Sequence, residues 1–449
     1  MQQLLKAEIP AETLQKIRDE LTFVEEVVKA PRGRRPIAPK SYRAFAENLE
    51  FLRVPKFYKL PKPHPAVTYV PRLSVGFTKL FTTDLAGPDS TALRPLQRQA
   101  VEAVLAALSG ANDKKARGAV LQLPCGYGKT RCAAFVIRNV GVVSLVLVAN
   151  KDLAQQFERA LRDLSSDIVT AKLPKPTVPL PDAHVIFGTL QSVYTRRYTA
   201  EYLAPVGLVV VDEAHHLAAA SFAQAMCSLG SARVLGLTAT PERRDGRENL
   251  IYCLAGSTVF RHDRPLMPNL EVVRLQYSVP PGFGNKPYSS IGERMQLLVC
   301  LSEIEGRNRV IVDVIVRYQQ DRSRLGILVL AKLQTHLHCL AESLSSECPD
   351  AEWGFFTGAE TQAVRDASSQ RRVIFATYDM AKEGLDIPRL DTLVLASPAE
   401  SLVQCVGRVL REFPGKGSPV VVDLDDQFRA FVYETASRVR KLEKMRFKK

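Results

Sequence analysis

Apolar residues fall into two patterns along this chain, and their alternation predicts the fold. Short unbroken apolar runs recur at Val120–Leu123, Ser144–Ala149, His184–Gly188, Leu208–Val211 and Val234–Leu237. They return at Gly326–Ala331, Val373–Ala376, Thr392–Ala396 and Val420–Asp423. A run without polar alternation suits a strand buried on both faces, as in a parallel sheet covered by helices. The stretches between carry helical patterns, so strand and helix alternate through two successive α/β units of similar size. That rhythm predicts doubly wound parallel sheets with ligands at the carboxyl ends of the strands.

Residues 1–90 depart from this rhythm. Leu14, Ile17, Leu21 and Val24 share one helical face, and a Pro- and aromatic-rich stretch follows through Phe51–Tyr58 and Tyr69–Phe77. The segment reads as a small accessory domain, with Phe57, Tyr58 and Phe77 packing in a core rather than stacking on bases. The expected domains are therefore 1–90, a first lobe over 91–265, a second lobe over 266–436 and a basic tail over 437–449. A looser passage, Pro265 to Pro287, carries the crossing between lobes.

Two segments carry the chemistry. The strand Val120–Leu123 runs into Pro124, Cys125, Gly126, Tyr127, Gly128, Lys129 and Thr130, where a helix opens. Glycines let backbone amides wrap phosphates, and a helix N-terminus adds a field favourable to anions. Lys129 is placed to reach β- and γ-phosphates, and the Thr130 hydroxyl to ligate Mg²⁺. Leu123 stands where the strict form of this phosphate-loop pattern has a small residue. Downstream, the buried run Val209–Val211 ends in Asp212 and Glu213, with His215 and His216 following. Two adjacent carboxylates at a strand end are costly to bury without work to do. Asp212 toward Mg²⁺ and Glu213 toward a water would employ both, which points to a nucleoside-triphosphate engine using ATP. His216 is left open between this site and a plain polar residue.

Composition agrees. The chain has 449 residues, 46% of them hydrophobic, which is ample for packed cores. No apolar run is long enough to cross a bilayer and the N-terminus has no signal-peptide hydrophobic stretch, so a soluble intracellular protein is expected. The eight cysteines form no CxxC pair, and reduced thiols without structural zinc are expected. A net charge of +14 suits a binder of phosphate polymers. Among the basic clusters, Arg32, Arg34 and Arg35 lie in a proline-bounded loop for which phosphate contact and simple solvation stand equal. The tail from Ser437 reads as a solvated, frayed helix.

In this order the motifs resemble the superfamily-2 helicases and translocases, with Asp212-Glu213-Ala214-His215 as their DEAH box. The resemblance spans roughly residues 90 to 425 and implies two tandem RecA-like lobes. It makes Gln97, after Leu93-Arg94-Pro95-Leu96, an adenine reader. Asn150, Gly188 and Thr189 in the first lobe and Thr377 in the second become contacts to the nucleic-acid backbone. Gly236–Pro241, with Thr238 and Thr240, resembles the motif that couples the nucleotide and strand sites, a role that extends to Gln404. Glu383–Pro388, with Gly384 and Asp386, resembles a second nucleotide-contacting motif, and Gln404–Arg411 the motif whose arginines, Arg408 and Arg411, meet the γ-phosphate. Lys129, Asp212, Glu213, His215, Arg408 and Arg411 are thus the expected catalytic set.

Pro241-Glu242-Arg243-Arg244-Asp245-Gly246 resembles the TPxRxDG run of the XPB-like and UvsW-like branch, which implies DNA as the favoured substrate over RNA. The cradle and the Gln404–Arg411 ending are similar to those of transcript-release helicases of poxviruses and other large DNA viruses. That likeness implies a monomer working in the host cell beside transcription or replication machinery. An RNA helicase is the nearest alternative. A protein-pushing motor would need long inserted regions for which the two lobes leave no room, and intact Glu213, Arg408 and Arg411 argue against an ATP-binding clamp that does not turn over.

Overall fold

The computed structural model describes residues 2–24, 41–47, 51–55, 57–60, 67–69, 93–109, 117–199, 201–229, 233–239, 247–263, 266–267, 269–278, 283–284, 288, 290–383, 385–398, 402–426 and 428–446. Thr240, Gly384, Phe77, the loop bearing Arg32, Arg34 and Arg35, and the run 241–246 lie outside the described residues. The chain divides into two compact units, Met1–Arg264 and Pro265–Lys449.

The first unit opens with short strands β1 (Gln2–Leu5), β2 (Thr22–Val24), β3 (Ser41–Arg43), β4 (Ala46–Glu47), β5 (Phe51–Val54) and β6 (Val67–Tyr69), and helix α1 (Ala11–Glu20). Four of the strands form an antiparallel sheet in the order β4-β5-β1-β6, and β2 pairs with β3. Leu14 and Ile17 of α1 are buried, as the amphipathic pattern requires. They join Leu4, Leu52, Val54 and Tyr58 in an apolar cluster continuous with Val120, Leu250 and Leu254 of the following lobe. Phe57 fastens this junction. Its amide donates to Cys253 O at 2.9 Å, and its ring lies where a Cβ on Gly118 would stand, 2.5 Å away. Gly256 adopts φ +96 against the Gly118 backbone, so only glycines fit this notch.

The lobe proper is a parallel seven-stranded sheet: β7 (Arg117–Gln122), β8 (Ser144–Val148), β9 (Thr170–Lys172), β10 (Val185–Thr189), β11 (Leu208–Val211), β12 (Arg233–Thr238) and β13 (Thr258–Arg261), in the order β13-β7-β12-β11-β8-β10-β9. Every residue of β8 and β11 is buried, which explains their unbroken apolar runs. Helices α2 (Pro95–Leu108), α3 (Lys129–Val140), α4 (Lys151–Arg162), α5 (Leu190–Arg196), α6 (Ala220–Ser228) and α7 (Glu248–Ala255) alternate with the strands. Two apolar clusters pack against the sheet: one holds Ala133, Phe135, Phe157 and Leu121, the other Leu145, Val209 and Leu217.

The second unit repeats the plan with β14 (Glu271–Leu275), β15 (Ile327–Ala331), β16 (Trp353–Phe356), β17 (Val373–Thr377), β18 (Thr392–Leu395) and β19 (Val420–Leu424), all parallel and ordered β14-β19-β18-β15-β17-β16. Its helices are α8 (Ile291–Ser302), α9 (Glu305–Gln320), α10 (Gln334–Glu347), α11 (Gln362–Ser368), α12 (Tyr378–Glu383), α13 (Leu402–Val409) and α14 (Val432–Arg446). The expected frayed tail departs from this picture. Residues 437–446 continue α14, with Arg438 and Leu442 buried. The cause is ionic: Arg438 Nε donates to Asp423 Oδ1 at 2.8 Å, and its Nη2 lies 3.6 Å from Asp426 Oδ2. Among the described residues, no helix is long and apolar enough to cross a membrane.

Candidate nucleotide and nucleic-acid site

The cradle forms where β7 gives way to α3. Gly126 and Gly128 take φ of +86 and +80, a region costly to side-chain-bearing residues. Gly128 is also the N-cap of α3, so no side chain covers the first-turn amides, and an anion-directed helix end results. A Cβ at Gly128 would stand 2.4 Å from Gln97 Nε2. Lys129 begins the helix and its Nζ donates to Leu123 O at 3.2 Å, folding the ammonium back over the loop. Thr130 follows on the same turn. Cys125 is partly exposed, whereas Cys132 is buried and its thiol is pushed up to about 12 by that burial.

The carboxylate pair follows β11, two strands from β7 in the sheet order. Asp212 is 7% exposed; its amide donates to Leu147 O at 2.9 Å and its Oδ1 accepts from Glu213 N at 3.0 Å. Burial, then the neighbouring Glu213 charge, raise Asp212 to about 6 against the pull of Lys129. Burial opposes ionisation of Glu213 too, but the hydrogen bond from His215 and the charges of Lys129, His215 and His216 outweigh it, and the carboxyl falls to about 2. His215 Nδ1 lies 3.3 Å from Glu213 Oε2, and the two histidine rings pack with centroids 4.3 Å apart. Glu213 sits in the left-handed region, φ 48 and ψ 54, one of two described non-glycine residues at positive φ. Such a conformation costs on the order of 1 to 3 kcal/mol and is held only where the surroundings determine it, often at functional sites.

Thr238 closes β12, between β7 and β11, and is fully buried. Its carbonyl accepts from Leu123 N at 3.1 Å, so the residue expected to couple the sites is bonded directly to the start of the cradle. Gln97 meets the cradle from α2. Its Oε1 accepts from Arg94 N and its Nε2 donates to Tyr127 O, both at 3.0 Å. Tyr127 in turn packs on His262, ring centroids 5.3 Å apart, and His262 N donates to Gln122 O.

Asn150 and Thr189 follow the adjacent strands β8 and β10 at the carboxyl edge, and each caps a helix. Asn150 Oδ1 accepts from Leu153 N, and Thr189 Oγ1 accepts from Ser192 N within a reciprocal cap, both at 3.0 Å. Gly188 precedes Thr189, where a Cβ would stand 3.0 Å from Leu173.

In the second unit Thr377 ends β17 and Gln404 lies part-exposed on α13. Arg408 donates to the carbonyls of Leu385 and Lys382, and Arg411 pairs with the Asp386 carboxylate, so both arginines grip the segment around Asp386. Sequence reasoning passed over a buried network here. Arg307 and Asp426 are 0% and 1% exposed and 3.1 Å apart, beside the Arg438–Asp423 pair. The acids at the carboxyl end of β19, Asp423 within the strand and Asp426 just beyond it, repeat the pattern of carboxylates closing a buried strand that marked Asp212, and that was the available signal.

Among the described residues no cluster of three or more His, Cys, Asp or Glu side chains is arranged to hold a metal ion. Mg²⁺ at a nucleotide keeps several waters and takes one or two protein ligands beside substrate phosphates. The Asp212 carboxyl, raised by burial and then by the Glu213 charge, and the Thr130 hydroxyl are donors of the kind such a site would use.

Each unit carries a parallel-sheet α/β fold, and together they match the tandem RecA-like lobes seen in helicases, the first with a glycine-shaped loop and an acid pair at its carboxyl edge. Residues 90–243 match the family described as Type III restriction enzyme, res subunit. The chain is related to helicases of large DNA viruses. It is 26% identical over 436 residues to a protein of Acanthamoeba polyphaga mimivirus named as an ATP-dependent RNA helicase, covering 93% of this chain and 79% of that one. It is 24% identical over 347 residues to a transcript termination protein of Fowlpox virus, covering 71% and 72%. The chain spans 64% of the length of African swine fever virus relatives, also named as ATP-dependent RNA helicases. Among solved structures, S. cerevisiae Dbp5 bound to RNA and ADP BeF3 shares the fold, with a TM-score of 0.55 at 15% identity over 79% of this chain and 88% of that one. The relatives give no support to the DNA-directed branch expected from the run 241–246.

Proposed function

We propose that this chain is an ATP-hydrolysing nucleic-acid helicase or translocase that couples turnover to strand separation or remodelling. The observation that carries this reading is the placement of a glycine-shaped helix N-terminus with Lys129 after β7 and of the Asp212–Glu213 pair after β11, two strands away at the same carboxyl edge of one sheet. In it, Gly126, Gly128, Lys129 and Thr130 bind the phosphates, with Pro124, Cys125 and Tyr127 shaping the loop. Asp212 and Thr130 would hold Mg²⁺, which supplies neutralisation of developing phosphate charge. Glu213, kept ionised and turned by its left-handed backbone, orients the attacking water, and His215 steadies it. Gln97 positions the cradle through Tyr127 and borders the base. Gly384 and Asp386 complete the nucleotide contacts.

Arg408 and Arg411 stabilise the transferring phosphoryl group, an effect worth about 10³ to 10⁵ in rate. Arg411 must exchange its Asp386 partner to do so. Asn150, Gly188, Thr189 and Thr377 hold the strand backbone, and Thr238, Thr240 and Gln404 couple the two events. For the substrate, the likeness of 241–246 to duplex-acting enzymes favours DNA, and the names of the viral relatives favour RNA. The fowlpox relative's name supports a role beside viral transcription in the infected cell.

The test is phosphate release with duplex DNA, single-stranded DNA and RNA as stimulants, alongside strand displacement. Lys129→Ala and Glu213→Gln should each abolish stimulated turnover. Persistence of turnover in both variants would overturn the assignment.

A further inference from the structure

The carboxyl edge of the second sheet carries a charge arrangement that the nucleotide reading leaves unused. Strands β15 and β17 pair with Ala331 opposite Thr377, so Lys332 and Tyr378 leave the sheet side by side. Both are anchored on Ser397, just beyond β18: Lys332 N donates to its Oγ at 2.9 Å, and the Tyr378 hydroxyl donates to its carbonyl at 2.6 Å. From this base Lys332 Nζ reaches Asp379 Oδ2 at 3.2 Å, and Lys382 Nζ, one turn along α12, reaches Oδ1 at 3.3 Å. The Asp379 side chain is 68% exposed, while those of Lys332 and Lys382 are 31% and 19% exposed.

Fold stability does not account for this grouping, because exposed ion pairs contribute little. Two ammonium groups converging on one pair of oxygens form an oxyanion site with a surplus positive charge. A phosphodiester offers the same two-oxygen face, and open α/β sheets take ligands at this edge. We infer that Lys332 and Lys382 grip a backbone phosphate of the bound strand, and that Asp379 is a built-in counter-anion which the phosphate displaces. The inference rests on the nucleic-acid reading above and adds two contacts and one competitor beside Thr377. Asp379 thereby weakens the grip and eases its release.

The experiment is fluorescence anisotropy of labelled single-stranded DNA and RNA oligonucleotides with the full chain, without nucleotide, across a salt series. Lys332→Ala and Lys382→Ala should each weaken binding and shrink the slope of log K against log salt by about 0.7, the share of one phosphate contact on a single strand. Lys332→Arg should keep the slope. Asp379→Asn should tighten binding about fivefold, the effect of removing one unit charge about 4 Å away in water. A merely structural ion pair gives the opposite sign, since losing Asp379 would loosen the site. Unchanged or weaker binding by Asp379→Asn, or an unchanged slope in both alanine variants, overturns the inference. Failure of the parent chain to bind either oligonucleotide would instead sink the nucleic-acid reading itself.

Discussion

Removal of the Arg307 guanidinium tests whether the second lobe's carboxyl edge is held by buried charge. Arg307 Nε and Nη2 donate to the Asp426 carboxylate at 3.1 and 3.5 Å, and Nη1 donates to Ala396 O at 2.6 Å, where β18 ends. Its guanidinium also lies 5.5 Å from the Tyr277 ring centre. Arg307→Met keeps the stem's bulk and deletes all of this. Asp426 then retains the Tyr277 hydroxyl at 2.7 Å and Arg438 at 3.6 Å, too little to compensate a carboxylate that is 1% exposed. Breaking a buried pair from one side costs about 3 to 5 kcal/mol. For a unit of about 185 residues unfolding with ~2.1 cal/mol/K per residue, that lowers Tm by about 8 to 13 °C. Calorimetry of the full chain should show the second unit's transition shifted by this amount. Arg307→Met with Asp426→Asn should be less destabilised than Arg307→Met alone, because the stranded charge has gone. A single variant within ~1 kcal/mol of the parent, or a double variant worse than the single, would refute the reasoning.

Two further outcomes follow from the geometry. Gly128→Ala introduces a Cβ 2.4 Å from Gln97 Nε2 at φ +80, so nucleotide affinity measured by titration calorimetry should fall at least tenfold while the second unit melts unchanged; unaltered affinity would mean the cradle does not need this conformation. His336, 2% exposed and hydrogen-bonded through Nε2 to Asn308 Oδ1, is lowered by burial and then by the Arg307 charge to about 3. Because the folded value lies below the unfolded 6.5, the unfolded chain takes up a proton first as pH falls, and stability is lost from about pH 6.5 downward. Between pH 7 and 5 this one group should remove about 2 kcal/mol, and denaturant melts of His336→Gln should show that component of the acid slope missing.

Much of the first lobe's site was legible in order along the chain. A glycine-shaped loop and an acid pair are local features: Gly126, Gly128, Lys129 and Thr130 follow β7 within eight residues, Asp212 and Glu213 follow β11 directly, and largely apolar runs mark both strands. Less legible were the side chains whose partners are distant in sequence. Arg307 and Asp426 are 119 residues apart, and Lys332 and Asp379 47 apart. Phe57 finds its notch only because β7 and α7 bring Gly118 and Gly256 together. The tail was misread for the same reason: Ser437–Arg446 is rich in charge, yet Arg438 faces two carboxylates at the carboxyl end of β19 and is drawn inward.

By itself, then, the order of residues determined the alternation of strand and helix, the two successive α/β units and the glycine-shaped turn before α3, because backbone periodicity and glycine conformation act over a few residues. Tertiary structure alone decided which charges are buried together and where Arg408 and Arg411 rest. Those choices depend on distances across the sheets, and a charge acquires its energy only from the partners and the dielectric that folding places around it.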